Sequence, residues 1–431
     1  MDVIWITVLL VAVLLLLLGL SIWVFAALLL VAVGSIHIFT GVPVLGVLGN
    51  ITWNATDSWS LAALPLFIFM GELLFRTRVS ERLFEGISPW LGSLPGGLLH
   101  TNVVASSLFA AISGSSVATA ATIGKINVPE LRRRNYNERL ALGSLAGAGT
   151  LGFLIPPSIV MIIYGVLAEV SIGRLFIGGI LPGLMLGGAF MLFLAAVGLA
   201  RPDLAPRPGG YTWAGRLKGL LGILPVALLI MAVLGSIYAG VATPTESAAI
   251  GVLGALLLSF GYRTFSLRGL RDAVLGSVRT TCMIGMIVAA AAVLSTAMGY
   301  LGIPRTLASW VAGMDLSPYV LIVVLSLFYL MLGLFLDGIS MIVVTLPITL
   351  PMVTAVGFEP LWFGIFLVLM VEAAQVTPPV GLNLFVISGI SGRSVGFIAV
   401  AALPFFLILL LVTALVTIIP EIVLYLPAQM N

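Results

Sequence analysis

The sequence predicts an all-α integral membrane protein, built as an internal repeat of opposite orientation with two re-entrant helical hairpins and two discontinuous helices. Three observations carry that prediction. Of 431 residues, 61% are apolar and 8% are charged, whereas a soluble domain carries about 25% charge. The basic residues gather in clusters that leave too little chain between them for ordinary spans. Three landmarks of the first half recur in the second at nearly one offset.

The composition excludes a water-soluble globule, and it excludes intrinsic disorder, which needs low hydrophobicity and high charge. At roughly 20 residues per span the chain can hold about ten to twelve crossings. The single Cys282 rules out an internal disulfide framework and a Cys-rich metal site. His37 and His100 are too few for a His-based metal centre. The first 33 residues lack a basic leader and a clear small-residue cleavage site, so they are expected to remain as membrane helix.

Apolar runs fall near 3–33, 61–75, 140–166, 175–200, 219–240, 247–262, 280–299, 319–335, 361–375 and 395–419. Four basic groups separate them: Arg76, Arg78 and Arg82; Lys125, Arg132, Arg133, Arg134 and Arg139; Arg201, Arg207, Arg216 and Lys218; and Arg263, Arg268, Arg271 and Arg279. The positive-inside rule places all four in the cytoplasm, with Arg174 and Arg305 on the other side. Segment 101–124 lies between two cytoplasmic groups and must cross an even number of times. Its 24 residues are interrupted by Ser113-Gly114-Ser115-Ser116, and two full spans would need about 40. A re-entrant hairpin from the cytoplasmic side satisfies both facts, whereas a single kinked span would leave one basic group outside.

The remaining crossings follow. Runs 140–166 and 175–200 go out and back, as do 219–240 and 247–262, with a tip at Thr243-Pro244-Thr245-Glu246. Run 280–299 crosses outward. The stretch 319–356 is interrupted by Asp337-Gly338-Ile339-Ser340 and has few basic flanks, so it reads as a second hairpin entering from outside. The expected division is 1–60 as N-terminal scaffold helices, 61–200 as the first repeat, 201–274 as connecting scaffold or arm helices, and 275–431 as the second repeat, with its broken helix at about 361–390.

Gly114 and Gly338 are related by a shift of 224, Pro156 and Pro378 by 222, and Met70-Gly71 and Met298-Gly299 by 228. Inverted repeats with midplane breaks are a common construction in secondary transporters. Pro156-Pro157, preceded by Gly147, Gly149 and Gly152, must break a helix, because proline removes a donor and clashes with the preceding turn. Pro378-Pro379, followed by Gly381 and Asn383, does the same in the second half. Freed carbonyls and Ser/Thr hydroxyls suit a small cation, and half-helix N-termini suit an anionic group.

Individual polar residues divide between bland and functional roles. Asp337 at membrane depth points to cation coordination, with a helix cap as the alternative. Glu372 either pairs with a polar group or shapes the site. Glu246 is expected to favour a helix N-terminus, Glu72 to pair with Arg76 at i,i+4, and His100 to be interfacial. Trp5, Trp23, Trp53, Trp59, Trp90 and Trp310 fit an aromatic belt. An intramembrane hydrolase built on Ser115 lacks a histidine in a matching motif, and no Walker A pattern supports an ATP-driven pump. No enzyme activity is expected. A channel could use re-entrant loops, but an inverted repeat within one chain fits alternating access better.

The stretch Pro65-Leu66-Phe67-Ile68-Phe69-Met70-Gly71-Glu72-Leu73-Leu74 resembles the large membrane subunit of tripartite ATP-independent periplasmic (TRAP) transporters, the DctM-like family. So do Leu94-Pro95-Gly96-Gly97, the Ser113–Ser116 tip, Ile155-Pro156-Pro157-Ser158 continuing to Tyr164-Gly165, and Thr243-Pro244-Thr245-Glu246-Ser247-Ala248. The likeness covers nearly the whole chain and is weakest over its first 50 residues. It implies an elevator-type transporter of the bacterial inner membrane, a multi-pass protein that moves sodium ions inward with a small organic anion. It also implies a small membrane subunit (DctQ-like) and a periplasmic substrate-binding protein (DctP-like). By the same resemblance, one sodium site falls near Ser113, Gly114, Ser116, Gly149 and Thr150, and a second near Asp337, Gly338, Ser340, Thr377 and Asn383. Substrate would lie near Ser115, Pro156, Pro157, Ser158, Pro378 and Pro379. C4-dicarboxylates, sugar acids and other small carboxylates all remain compatible cargoes, or a related transporter could work without a binding protein.

Overall fold

A computed structural model describes residues 3–77, 79–206, 212–313, 317–379 and 381–430; Arg78, Arg207 and Val380 lie outside the described residues. The described chain is helical throughout, without strands. Six helices are long and apolar enough to cross a membrane: Ile172–Ala200, Trp213–Tyr238, Pro244–Gly261, Leu267–Tyr300, Gly338–Ala355 and Val395–Ile418. The other apolar helices are shorter because the chain breaks where glycine, proline or polar residues interrupt it.

The N-terminal run is not one helix. It divides into Val3–Gly19 and Val24–Phe39, with Ser21 in the left-handed region at φ 61° between them. Uniform apolarity hides such a turn, because no change of periodicity marks it. A second departure is the helix around 280–299. It starts at Leu267 and carries Arg268, Arg271 and Arg279 on its first turns.

From residue 63 onward, one order of elements occurs twice. The first repeat runs through Ala63–Phe75, the short Val79–Leu91, a hairpin of Leu99–Ser113 and Ser116–Arg133, a broken helix of Glu138–Gly149 and Ile159–Leu167, and the long Ile172–Ala200. The second runs through the end of Leu267–Tyr300, the short Ile303–Gly313, a hairpin of Pro318–Leu332 and Gly338–Ala355, a broken helix of Pro360–Gln375 and Leu382–Ser391, and the long Val395–Ile418. The base of the first hairpin is closed: the Leu98 N–H donates to Tyr136 Oη at 2.9 Å. A kinked single span would hold those residues apart.

The basic groups share one end of the molecule. Arg76 lies 3.9 Å from Asp272, Arg82 stacks on the Tyr262 ring at 4.1 Å, and Trp90 Nε1 donates to the Arg216 carbonyl at 3.0 Å. The Asn137 N–H donates to the Leu204 carbonyl at 2.9 Å, which joins the second and third groups. At the opposite end Arg174 donates to the Pro427 carbonyl and Thr245 to the Trp59 carbonyl.

The two repeats interlock through their broken helices. Tyr164 Oη of the first repeat donates to the Pro360 carbonyl of the second at 2.5 Å, and within the second repeat Trp362 Nε1 donates to the Val416 carbonyl at 2.9 Å. Phe190 and Phe405 meet edge to face at 5.3 Å. Helix Val395–Ile418 approaches Glu138–Gly149 so closely that a Cβ on Gly143 would sit 2.1 Å from the Ala401 carbonyl oxygen. Glycine at the crossing lets the backbones touch, and that contact brings both breaks to the centre of the molecule.

Candidate functional site: two hairpin tips against two broken helices

At the first tip, Gly114 takes the left-handed conformation at φ 58° and ends helix Leu99–Ser113. Ser115 caps the next helix by accepting from the Ala118 N–H. The tip rests on the first break: the Gly114 carbonyl accepts from the Ile159 N–H at 3.4 Å, and a Cβ on Gly114 would lie 2.8 Å from the Pro157 oxygen. Gly152 in the break meets Ser116 backbone to backbone, since a Cβ there would be 2.3 Å from Ser116 Cα. Thr150 Oγ1 donates to the Gly147 carbonyl at 2.6 Å. Ser113 Oγ is paired with Thr119 Oγ1 at 3.0 Å. The five residues of the first expected ion site are therefore gathered around one tip and one break.

At the second tip, Gly338 packs on Val371 and lies near Gln375, both in the last turns before the second break. Ser340 is buried, and Thr377 Oγ1 donates to the Ala373 carbonyl at 2.7 Å. Two expectations change here. Asp337 is exposed, and its carboxylate caps its own helix, accepting from the Ile339 and Ser340 N–H groups and from Ser340 Oγ. It acts here as a helix cap, because a carboxylate at an N-terminus finds free donors within its own first turn. Asn383 is fully buried and faces the first repeat: a Cβ on Gly149 would lie 3.0 Å from its Nδ2. It adjoins the first break, although its place in sequence assigned it to the second.

Glu372 joins the two halves. It is fully buried, and its Oε1 accepts from Ser116 Oγ at 2.5 Å and from the Phe153 N–H at 2.6 Å. Its Oε2, both amide atoms of Asn383 and Gln375 Oε1 are buried and find no hydrogen-bond partner among the described residues. Buried polar atoms are rarely left so, and four of them flank the two breaks. The sequence signal for Glu372 was an acid inside a long apolar run; its partners, more than 200 positions away, were not readable.

A cavity of about 310 Å³ opens beside the first tip. Ser113, Ser115 and Ile159 form one wall, and Gly71, Glu72 and Thr280 of two other helices form the facing wall. Helices Ser116–Arg133 and Ile159–Leu167 both begin at this tip, so the partial positive charge of their N-termini is directed there. Pro156, Pro157 and Ser158 do not line the cavity, and neither do Pro378 and Pro379; Ser158 Oγ is occupied in capping, accepting from the Met161 N–H. The peptide bonds Pro156–Pro157 and Pro378–Pro379 are both cis. His100 is buried rather than interfacial, with Nε2 donating to the Pro95 carbonyl.

Residues 9–422 match the family described as the tripartite ATP-independent periplasmic transporter, DctM component. The chain belongs to the DctM family. The C4-dicarboxylate TRAP transporter large permease protein DctM of Pseudomonas aeruginosa is 38% identical over 378 residues, covering 87% of this chain and 88% of that one. The isethionate TRAP transporter permease protein DctMQ of Oleidesulfovibrio alaskensis is 33% identical over 381 residues, covering 86% of this chain and 59% of that one. Among solved structures, the YdaH transporter of Alcanivorax borkumensis superposes with a TM-score of 0.65 at 15% identity, covering 88% of each chain. That likeness shows the fold. As a DctM-family large permease, the chain is a multi-pass membrane transport component.

Proposed function

We propose that this DctM-family permease carries a small organic anion inward with sodium ions. A periplasmic substrate-binding protein delivers the anion, and a small membrane subunit packs beside the permease in the bacterial inner membrane. The observation that carries the reading is the pairing of each hairpin tip with the break of its own repeat, twice in one chain. Breaks at membrane depth free carbonyl oxygens that a small cation can use. The first site uses Ser113, Gly114, Ser116, Gly149 and Thr150. The second uses Gly338, Ser340 and Thr377, with Asp337 holding the tip in shape.

The anion lies in the cavity beside Ser115. There the N-termini of Ser116–Arg133 and Ile159–Leu167 direct their partial positive charge toward a carboxylate. The relatives named for a C4-dicarboxylate and for isethionate support small anions as the cargo class. The cavity opens at the end that carries the basic groups, so the wall formed by the hairpin must move relative to the facing helices to release the site on the other side. That motion is an elevator displacement of hairpins and broken helices.

The test is uptake into proteoliposomes holding the permease with its small subunit. Accumulation is expected only when an inward sodium gradient and a loaded binding protein are both present. Uptake without either component, or ion flux without cargo, would replace this reading with a binding-protein-independent carrier or a channel.

A further inference from the structure

Among the described residues no cationic side chain pairs with the buried Glu372 carboxyl. The six ion pairs among those residues all join Arg to Asp or Glu side chains that are partly exposed. A carboxylate buried in an apolar interior is costly unless a cation or a proton accompanies it. Two donors hold Oε1, one from the first hairpin and one from the first break, and Oε2 has no hydrogen-bond partner among the described residues.

One helical turn beyond Ser116 is Ala120, about 6 Å along the axis. Ala120 and Asn383 flank Gly149, since a Cβ on that glycine would lie 3.0 Å from each. Along one face of helix Ser116–Arg133, the second repeat thus presents a carboxylate and then an amide whose atoms both lack a partner among the described residues. The first repeat presents the irregular backbone from Gly149 to Phe153 against the same face.

We propose that Glu372 is the counter-charge of the cation held at the first break, and that Asn383 adds its amide oxygen, so that a single ion is gripped by both repeats. This rests on the sodium-coupled reading above. It makes the first site unlike the second, whose nearest acid, Asp337, is exposed and committed to a helix cap. It also gives the ion a mechanical role: when bound, it ties the first hairpin to the second repeat's broken helix.

The experiment follows the thermal unfolding midpoint of the purified full chain in sodium chloride and in choline chloride at equal ionic strength. The wild-type chain is expected to gain stability with sodium. Glu372→Gln keeps the shape and removes the charge. It is expected to be as stable as wild type or more so in choline, and to need about tenfold more sodium, or beyond, for half of the shift, as when a supporting metal-site residue is lost. Glu372→Asp, which keeps the charge, is expected to fall between the two. Asn383→Leu gives the same readout should Glu372→Gln fail to accumulate as folded protein. An unchanged half-shift concentration in these variants overturns the proposal. So does an equal loss of stability in both salts, which marks a structural brace only. Absence of any sodium shift in the wild-type chain would instead remove the sodium-coupled reading, and the proposal with it.

Discussion

Gly152 shows how narrow the tolerances at this site are. A Cβ there would meet Ser116 backbone atoms at 2.3 and 2.5 Å, and backbone cannot swing aside as a side chain can. Gly152→Ala is expected to push the first tip off its break, costing about 1–3 kcal/mol and most of the uptake. Gly285→Ala is the control, since nothing lies within 4 Å of that position. Alanine is the better helix former by about 1 kcal/mol, so this change is expected to be neutral or mildly stabilising. Comparing thermal midpoints and uptake of the two variants checks the contrast, and similar losses in both would remove the close contact as the cause. At this scale the sequence was half legible. Ser113, Gly114, Ser116 and the proline pairs announce themselves by interrupting apolar runs. Asp337 stood out for the same reason, yet local donors claim its carboxylate. Nothing in the sequence pairs Glu372 with Ser116.

The elements are fastened to one another at the end that carries the basic groups. Glu138, at the start of the first broken helix, accepts from Arg393 at 2.5 and 2.9 Å and from Arg132 at 2.7 Å. Arg132 also donates to the Ser391 carbonyl, so the base of the first hairpin is clasped to the turn after the second broken helix. The Arg393 hydrogen bonds hold the Glu138 carboxyl below the usual glutamate range, against partial burial and with help from Arg132. A carboxylate depressed on folding stabilises above its unfolded value and loses that contribution as pH falls through its folded value. Glu138→Gln is therefore expected to cost about 1 kcal/mol or less at neutral pH, and the difference from wild type to start shrinking as pH falls below the free glutamate value of about 4.3 and to vanish only below the lower folded value. Thermal midpoints across that range decide it; a constant difference would sink the ionic account. Most elements were legible from apolar runs and their interruptions. The turn at 20–23 was not, because Gly19 and Ser21 are only brief interruptions of a long apolar run.

Across the whole molecule, on the proposed transport reading, the cavity beside Ser115, lined by Glu72 and Thr280, marks one of two access states. Ser115→Cys is expected to react with a membrane-impermeant maleimide from the cytoplasmic side when cargo and sodium are absent, and to lose that reactivity as a sodium and cargo gradient drives the chain to the other state. Equal reactivity from both sides at all times would favour an open pore. The sequence by itself determined the solvent, the gathering of the basic groups at one end, the two hairpins and their repeat, because composition and charge spacing are local and a bilayer punishes errors in them by several kcal/mol per misplaced charge. Only the tertiary structure decided which atoms meet at the centre. Glu372 touches the first hairpin and Asn383 adjoins the first break because the second broken helix packs against both, with Asn383 filling the space beside Gly149. That contact is a property of packing between residues more than 200 positions apart, and no local pattern encodes it.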